Sequence, residues 1–182
     1  QRVTDNLILF ADLQRYDASL EKPEPYKRGA TDRFKARLTE DIRLIASIYK
    51  RVDDLNINLE EGSLQVAYKD LSKVITEAVD NAFKYSDRGA QVSVSSKLDG
   101  GFMHFSVTDK GAGMKSAILE EFDSFDNLDK SRRLKYGIGL GFYFIRELTR
   151  LNRGKIDMQT ALGEGTTLTI MLPYSTERIV GY

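Results

Sequence analysis

The sequence predicts an α/β (more narrowly α+β) two-layer sandwich: a mixed β-sheet with helices on one face, preceded by a helical segment. Three observations carry this. Leu71, Val74, Ile75, Ala78, Val79, Ala82 and Phe83 recur at i, i+3, i+4 and i+7 between Asp70 and Asp87, the stripe of a helix that buries one side. Gln91 to Leu98 and Phe102 to Thr108 alternate as strands do. Asp99-Gly100-Gly101 between them is a hairpin signal, since glycine tolerates positive φ. A final strand-like run, Thr166 to Leu172, follows a turn at Gly163–Gly165. Hairpins and one-sided helices bury their apolar faces against each other as two layers.

In chain order, residues 1–16 read as a helix that is apolar nearly all round, with Val3, Leu7, Ile8, Leu9, Phe10, Ala11 and Leu13. Such a helix is usually buried on several sides. From the residues alone it reads as a helix packed on its own domain. Residues 17–33 carry Pro23, Pro25 and Gly29 and read as a linker, with room for a short extended piece near Tyr26. Thr31 or Asp32 is a reasonable N-cap for the next helix, whose stripe is Phe34, Leu38, Ile42, Ile45, Ile48, Tyr49 and Val52. Asn56 to Leu59 and Leu64 to Tyr68 read as short strands ahead of the central helix. Beyond the hairpin, Lys115 to Lys135 is polar. A helix from Phe142 to about Leu151 ends near Gly154, and a strand near Lys155 to Thr160 precedes the last turn.

The chain has 182 residues and is 41% hydrophobic, enough for one domain with a core and a short appendage. Zero formal charge without a basic run argues against a nucleic-acid partner. The lack of cysteine excludes disulfides, Cys-metal sites and a Cys nucleophile, and fits a reducing compartment. No apolar run approaches a membrane span, so no membrane contact is expected from this piece. It starts at Gln1 and is expected to be cut from a longer chain, which leaves upstream sensor or membrane segments open.

Four stretches carry candidate chemistry. On the central helix Lys73, Glu77, Asn81 and Lys84 form a second stripe; Glu77 and Asn81 are one turn apart and point the same way. A carboxylate, an amide and an ammonium on one face suit a metal–phosphate ligand, or are simply a solvated face. Asp109 ends the strand FSVTD before Lys-Gly-Ala-Gly, where an aspartate is commonly a turn former. Gly137, Gly139 and Gly141 are spaced GxGxG and open a helix, whose backbone N–H groups can hold phosphate oxygens; a glycine hinge is the alternative. A dinucleotide fold does not fit, because a charged loop rather than a strand precedes them. The fourth stretch is GEGTTLTIMLP, Gly163 to Pro173.

In this order and spacing, DLSKVITEAVDNAFKYSD, VTDKGAGM, YGIGLGFYFIREL and GEGTTLTIMLP resemble the N, G1 and G2 boxes and closing glycine–threonine motif of the histidine-kinase and gyrase-type (GHKL) ATPases. The resemblance covers roughly residues 60–173, and the KYS and LTIMLP segments look most like sensor histidine kinases. It implies the Bergerat fold, with ATP held between a helical layer and a lid, here Lys115 to Lys135. It implies that Asp109 accepts the adenine amino group, that Gly111 and Gly113 let the backbone pass close to the base, and that Met114 contacts it. Asn81 would coordinate Mg²⁺, Lys84 would sit at the phosphates, Tyr85 against the nucleotide, and Glu77 would orient or deprotonate the nucleophile. Gly137, Gly139, Leu140 and Gly141 would hold phosphates, with Thr166 also at the nucleotide. Phe122 and Phe125 resemble a degraded phenylalanine box. Arg132, Arg133 and Lys135 are candidates for the γ-phosphate, although at least two of them read as a solvated charge cluster.

The implied function is the catalytic, ATP-binding domain of a two-component sensor histidine kinase. It would transfer the γ-phosphoryl group to a histidine outside this piece, for relay to a response-regulator aspartate. Its partners would be its own dimerisation and phosphoacceptor domain, in a homodimer, and a receiver domain; its location would be cytoplasmic. Residues 1–20 would be the end of the dimerisation helix and a linker, 21–176 the catalytic domain and 177–182 a tail. The one histidine, His104, sits in a strand before Phe105 and reads as structural, not as a phosphoacceptor. The alternatives are an anti-sigma-type serine kinase on the same fold and a catalytically silent interaction module.

Overall fold

The computed structural model describes residues 6–13, 29–114 and 140–175. Residues 6–13 form a helix, α1. There follow β1 (Thr31–Asp32), α2 (Lys35–Ile48), a 3-10 turn (Val52–Asp54), β2 (Leu55–Asn58), β3 (Ser63–Leu64), α3 (Tyr68–Lys84), β4 (Val92–Asp99) and β5 (Phe102–Asp109). Then come α4 (Leu140–Leu151), β6 (Lys155–Ala161) and β7 (Gly165–Pro173).

Five strands make a mixed sheet of order β2-β4-β5-β7-β6, in which β2 and β4 are parallel and the other pairs antiparallel. The period-2 pattern decides which face is covered. Met103, Phe105 and Val107 on β5 are buried with Leu168, Ile170 and Leu172 on β7, while His104, Ser106 and Thr108 lie on the other face. α3 lies against β4 and β5, and α4 against β6 and β7, so the helices share one face. The core between the layers gathers Phe34, Leu38 and Ile42 from the α2 side, Leu71 and Ile75 from α3, and Phe144 and Leu148 from α4. His104 lies within β5, opposite Lys97 and Met171 in the ladder.

Two expected elements differ. Thr31 and Asp32 do not cap a helix; they pair as β1 with Leu64 and Ser63, and α2 begins at Lys35. Their capping-competent oxygens are engaged in this ribbon: Thr31 donates to the Val66 carbonyl (2.6 Å), and Asp32 accepts from Ser63 (2.6 Å). The expected strand Leu64 to Tyr68 stops at Leu64, and Tyr68 already belongs to α3. The Tyr68 and Ser72 hydroxyls both donate to Asp41 of α2 (2.6 Å each), which ties the first turn of α3 to its neighbour helix. Tertiary hydrogen bonds overrode local propensity in both places.

α1 packs on α3 and α4. Asn6 accepts from Lys73 (2.5 Å), Phe10 meets Tyr143 edge to face with centroids 5.2 Å apart, and Leu13 is buried. Leu7 and Ile8 on its other side remain exposed. The Pro23–Pro25 linker and Lys115 to Lys135 lie outside the described residues.

Candidate functional site

The site begins with helical spacing. On α3, Lys73 Nζ is 2.7 Å from Glu77 Oε1, an i,i+4 ion pair that also lies 4.7 Å from the Phe144 ring of α4. Glu77 is buried, and Asn81, one turn on, is half-buried. Lys84 and Tyr85 at the helix end are exposed, with Lys84 Nζ 5.0 Å from the Tyr85 ring centroid. The start of α4 lies on this same face. A Cβ at Gly141 would come 2.5 Å from Glu77 Oε2 and 3.7 Å from Asn81 Nδ2. Glycine is therefore what lets α4 approach the polar stripe of α3. Leu140, beside it, is 40% exposed.

The second part is a floor built from strand ends. Asp109 closes β5, opposite Val92 of β4 and Thr166 of β7. Its carboxyl is buried, and that burial pushes its pKa up; backbone N–H groups of Gly111 (2.8 Å) and Thr166 donate to it and partly offset the rise. The loop beyond turns back under α3: the Ala112 N–H donates to the Tyr85 carbonyl (3.2 Å). A Cβ at Gly111 would collide with that carbonyl. Gly113 has φ +62°, and a Cβ there would strike the Ala161 carbonyl; Gly165, at φ +95°, presses on the Asp109 carbonyl. Protein backbone thus already occupies the space that glycine opens at these positions.

Thr160, for which no sequence signal existed, joins the floor to the last turn. It accepts from the half-buried Met114 N–H (2.9 Å), donates to the Gly165 carbonyl (3.0 Å) and lies 3.0 Å from the Thr166 hydroxyl. Lys73 was visible only as a stripe member, and its contact with Asn6 depends on the tertiary fold. Glu77, Asn81, Lys84, Tyr85, Leu140 and Gly141 form one helical wall, while Asp109, Gly111, Gly113, Met114 and Thr166 form the floor. The Tyr85 carbonyl, bonded to Ala112, is where the two meet. Gly137, Gly139, Phe122, Phe125, Arg132, Arg133 and Lys135 lie outside the described residues.

Chemically, Asp109 offers an acceptor to an N–H donor, while Asn81 and Lys84 offer an amide oxygen and a positive charge. An amide oxygen with phosphates and water is a chemically sound set for a hard divalent ion.

A family profile described as histidine kinase-, DNA gyrase B- and HSP90-like ATPase matches residues 67–176. The sensor histidine kinase WalK of Bacillus subtilis (strain 168) is 30% identical over 151 residues, 81% of this chain and 23% of WalK. The chain thus spans about a quarter of this curated relative's length. Among solved structures, the catalytic domain of histidine kinase ThkA superposes with a TM-score of 0.64 at 15% identity, over 83% of this chain and 99% of that one. Full-length ShkA in complex with AMPPNP superposes with a TM-score of 0.67 at 18% identity, over 95% of this chain and 35% of that one. At these identities the likeness to solved structures is one of fold.

Proposed function

Because this chain belongs to the histidine kinase-, DNA gyrase B- and HSP90-like ATPase family, we propose that it binds ATP with Mg²⁺ as the catalytic domain of a two-component sensor histidine kinase. Its γ-phosphoryl acceptor would be a histidine outside this chain, and the final acceptor an aspartate on a response-regulator receiver domain. The observation that carries the reading is Asp109: a buried carboxylate at a strand end, held by backbone donors, beside the loop that Ala112 ties to the Tyr85 carbonyl at the end of α3. A carboxylate so placed accepts the exocyclic amine of adenine. A base that leaves it unpaired forfeits about 1–3 kcal/mol, which makes it a reader and not merely a contact.

The remaining residues take the roles their positions allow. The exposed Tyr85 ring covers the nucleotide, and Lys84 contributes positive charge at the phosphates. The Asn81 amide oxygen is the protein's ligand for Mg²⁺, which when bound neutralises phosphate charge. Glu77, held by Lys73, orients the incoming nucleophile. Met114 and Thr166 line the base, and the first turn of α4, from Leu140 and Gly141, faces the phosphates. Catalysis in this scheme is positioning and electrostatics. The sensor-kinase relative supports the reading. Within it, residues 1–20 end the dimerisation helix and linker, 21–176 are the catalytic domain and 177–182 a tail. The partners are the chain's own phosphoacceptor domain, in a homodimer, and the receiver domain, in the cytoplasm.

Calorimetric titration of ATP into the chain, with and without Mg²⁺, tests the site. Binding should weaken without Mg²⁺ and in Asn81→Ala, and fall about a hundredfold in Asp109→Ala. A folded wild-type chain that binds no ATP would overturn the proposal. Incubation with ATP and the phosphoacceptor domain should yield acid-labile phosphohistidine; acid-stable phosphoserine would mark a serine kinase.

A further inference from the structure

Helix α3 ends without a glycine. Its C-cap, Tyr85, has φ −105° and ψ 6°, so the last carbonyls need other partners. Two side chains supply them. The Ser86 hydroxyl donates to the Ala82 carbonyl (2.6 Å). The guanidinium of Arg51, which is 5% exposed, donates to the Phe83 carbonyl (3.0 Å), the Ser86 carbonyl (2.8 Å) and hydroxyl (3.1 Å), and the Ala90 carbonyl (2.8 Å). Its Nε is 2.6 Å from Asp54, which accepts also from the Gly89 N–H (3.0 Å). The Arg51 Cζ stands 4.9 Å from the Phe83 ring centroid. One buried cation, 32 or more residues away in sequence, thus grips the entire connection from α3 to β4.

We propose that Arg51 is a positioning residue for base recognition, an inference that rests on the nucleotide reading of the site. Two routes lead from it to Asp109. Between its anchors at Phe83 and Ser86 lies Tyr85, whose carbonyl accepts from Ala112 and is packed against Gly111, the residue that donates to the Asp109 carboxylate. Its anchor at Ala90 lies two residues before Val92, the ladder partner of Asp109. The helix end and the strand start that flank the carboxylate are therefore set by the same planar fork. Lysine cannot replace it, because one ammonium does not span acceptors at Asp54, Phe83, Ser86 and Ala90. Arg51 also lies ahead of residues 67–176, the part that matches the family profile.

The test compares ADP with inosine diphosphate, which lacks the exocyclic amine, by calorimetry on wild type, Arg51→Lys and Asp54→Ala, with folding checked by a cooperative thermal transition. In Arg51→Lys, affinity for ADP should fall about tenfold while that for inosine diphosphate changes little, so the preference for ADP shrinks by the same factor. Asp54→Ala should move the same ratio in the same direction by less, and it decides the matter if Arg51→Lys does not fold. Equal losses for both nucleotides, or an unchanged preference per folded molecule, would show a purely structural residue and overturn the inference alone. A folded wild-type chain that binds neither nucleotide overturns the nucleotide reading, and this inference with it.

Discussion

The two halves of the candidate site are built by opposite means. The α3 part of the helical wall, Glu77 and Asn81 with Lys73 one turn before, is made of side chains at i,i+4 spacing, and its geometry is local. The floor around Asp109 is made of backbone: a ladder register with Val92 and Thr166, and carbonyls pressed on Gly111, Gly113 and Gly165. A side-chain wall can lose one member and keep its shape. A backbone floor transmits any intrusion to every residue that shares it, because interiors are close-packed and carbonyls cannot rotate aside.

Gly113→Ala should break the comparison most sharply. It combines a left-handed φ of +62° with a collision at the Ala161 carbonyl, and should cost about 3 kcal/mol or more in urea unfolding. Gly141→Ala, whose new Cβ meets side-chain ends only, crowding Glu77 and touching Asn81, should cost well under half as much. Equal costs would mean that the wall is as rigid as the floor. Next in size, Asp109→Ala should weaken ADP binding by about a hundredfold, near 2.7 kcal/mol, while the chain stays folded.

Asp109→Asn sharpens the contrast through pH. Burial raises the carboxyl above its ordinary 3.8, so the folded chain holds that proton more tightly than the unfolded one. The stability contributed by this proton is present at low pH and is lost as pH rises from about 3.8 through the folded-state value. Asp109→Asn should therefore unfold at a higher temperature than wild type at neutral pH, and the gap should close on acidification. Affinity for ADP has the opposite sign. It should rise with pH over the same window in wild type, because the ionised form is the better acceptor. A pH-independent affinity across that window would remove Asp109 from base recognition.

Smaller effects belong to the wall. Asn81→Ala should lower affinity for Mg-ATP about tenfold and leave metal-free binding unchanged. Lys73→Met should change ADP affinity less than threefold. It should destabilise the chain by about 1–2 kcal/mol, since it removes the Lys73 charge that pairs with buried Glu77. The loss should be seen as a lower denaturant midpoint.

The helical wall was legible in the sequence because its information is periodic. Spacing placed Glu77 above Asn81, and α3 was recognised by its stripe, with its start misplaced by two residues because the Tyr68 hydroxyl bonds to Asp41. The β4–β5 hairpin was legible for a similar reason: alternation and Asp-Gly-Gly are local. Asp109 was found through its resemblance to a known box, not through its surroundings. Thr160 carried no mark at all, because its role exists only when β6 meets the loop after β5.

What the sequence by itself determined is the identity of the main helices and strands and most of the faces they bury, since helical and strand periods are properties of consecutive residues; Ile48 and Val52, expected on the stripe of α2, are exposed because the helix ends at Ile48. The sequence also marked the glycines, and the family resemblance tied them to a close approach of the backbone to a base or phosphates. Only the tertiary structure decided the reason: at Gly111, Gly113 and Gly141 the space is filled by the Tyr85 carbonyl, the Ala161 carbonyl and the Glu77 carboxylate. It alone turned Thr31 and Asp32 into a ribbon, and gave Arg51 four acceptors from another part of the chain. Hydrogen bonds between distant residues leave no period in the sequence, and such bonds both close the end of α3 and shape the floor beneath it.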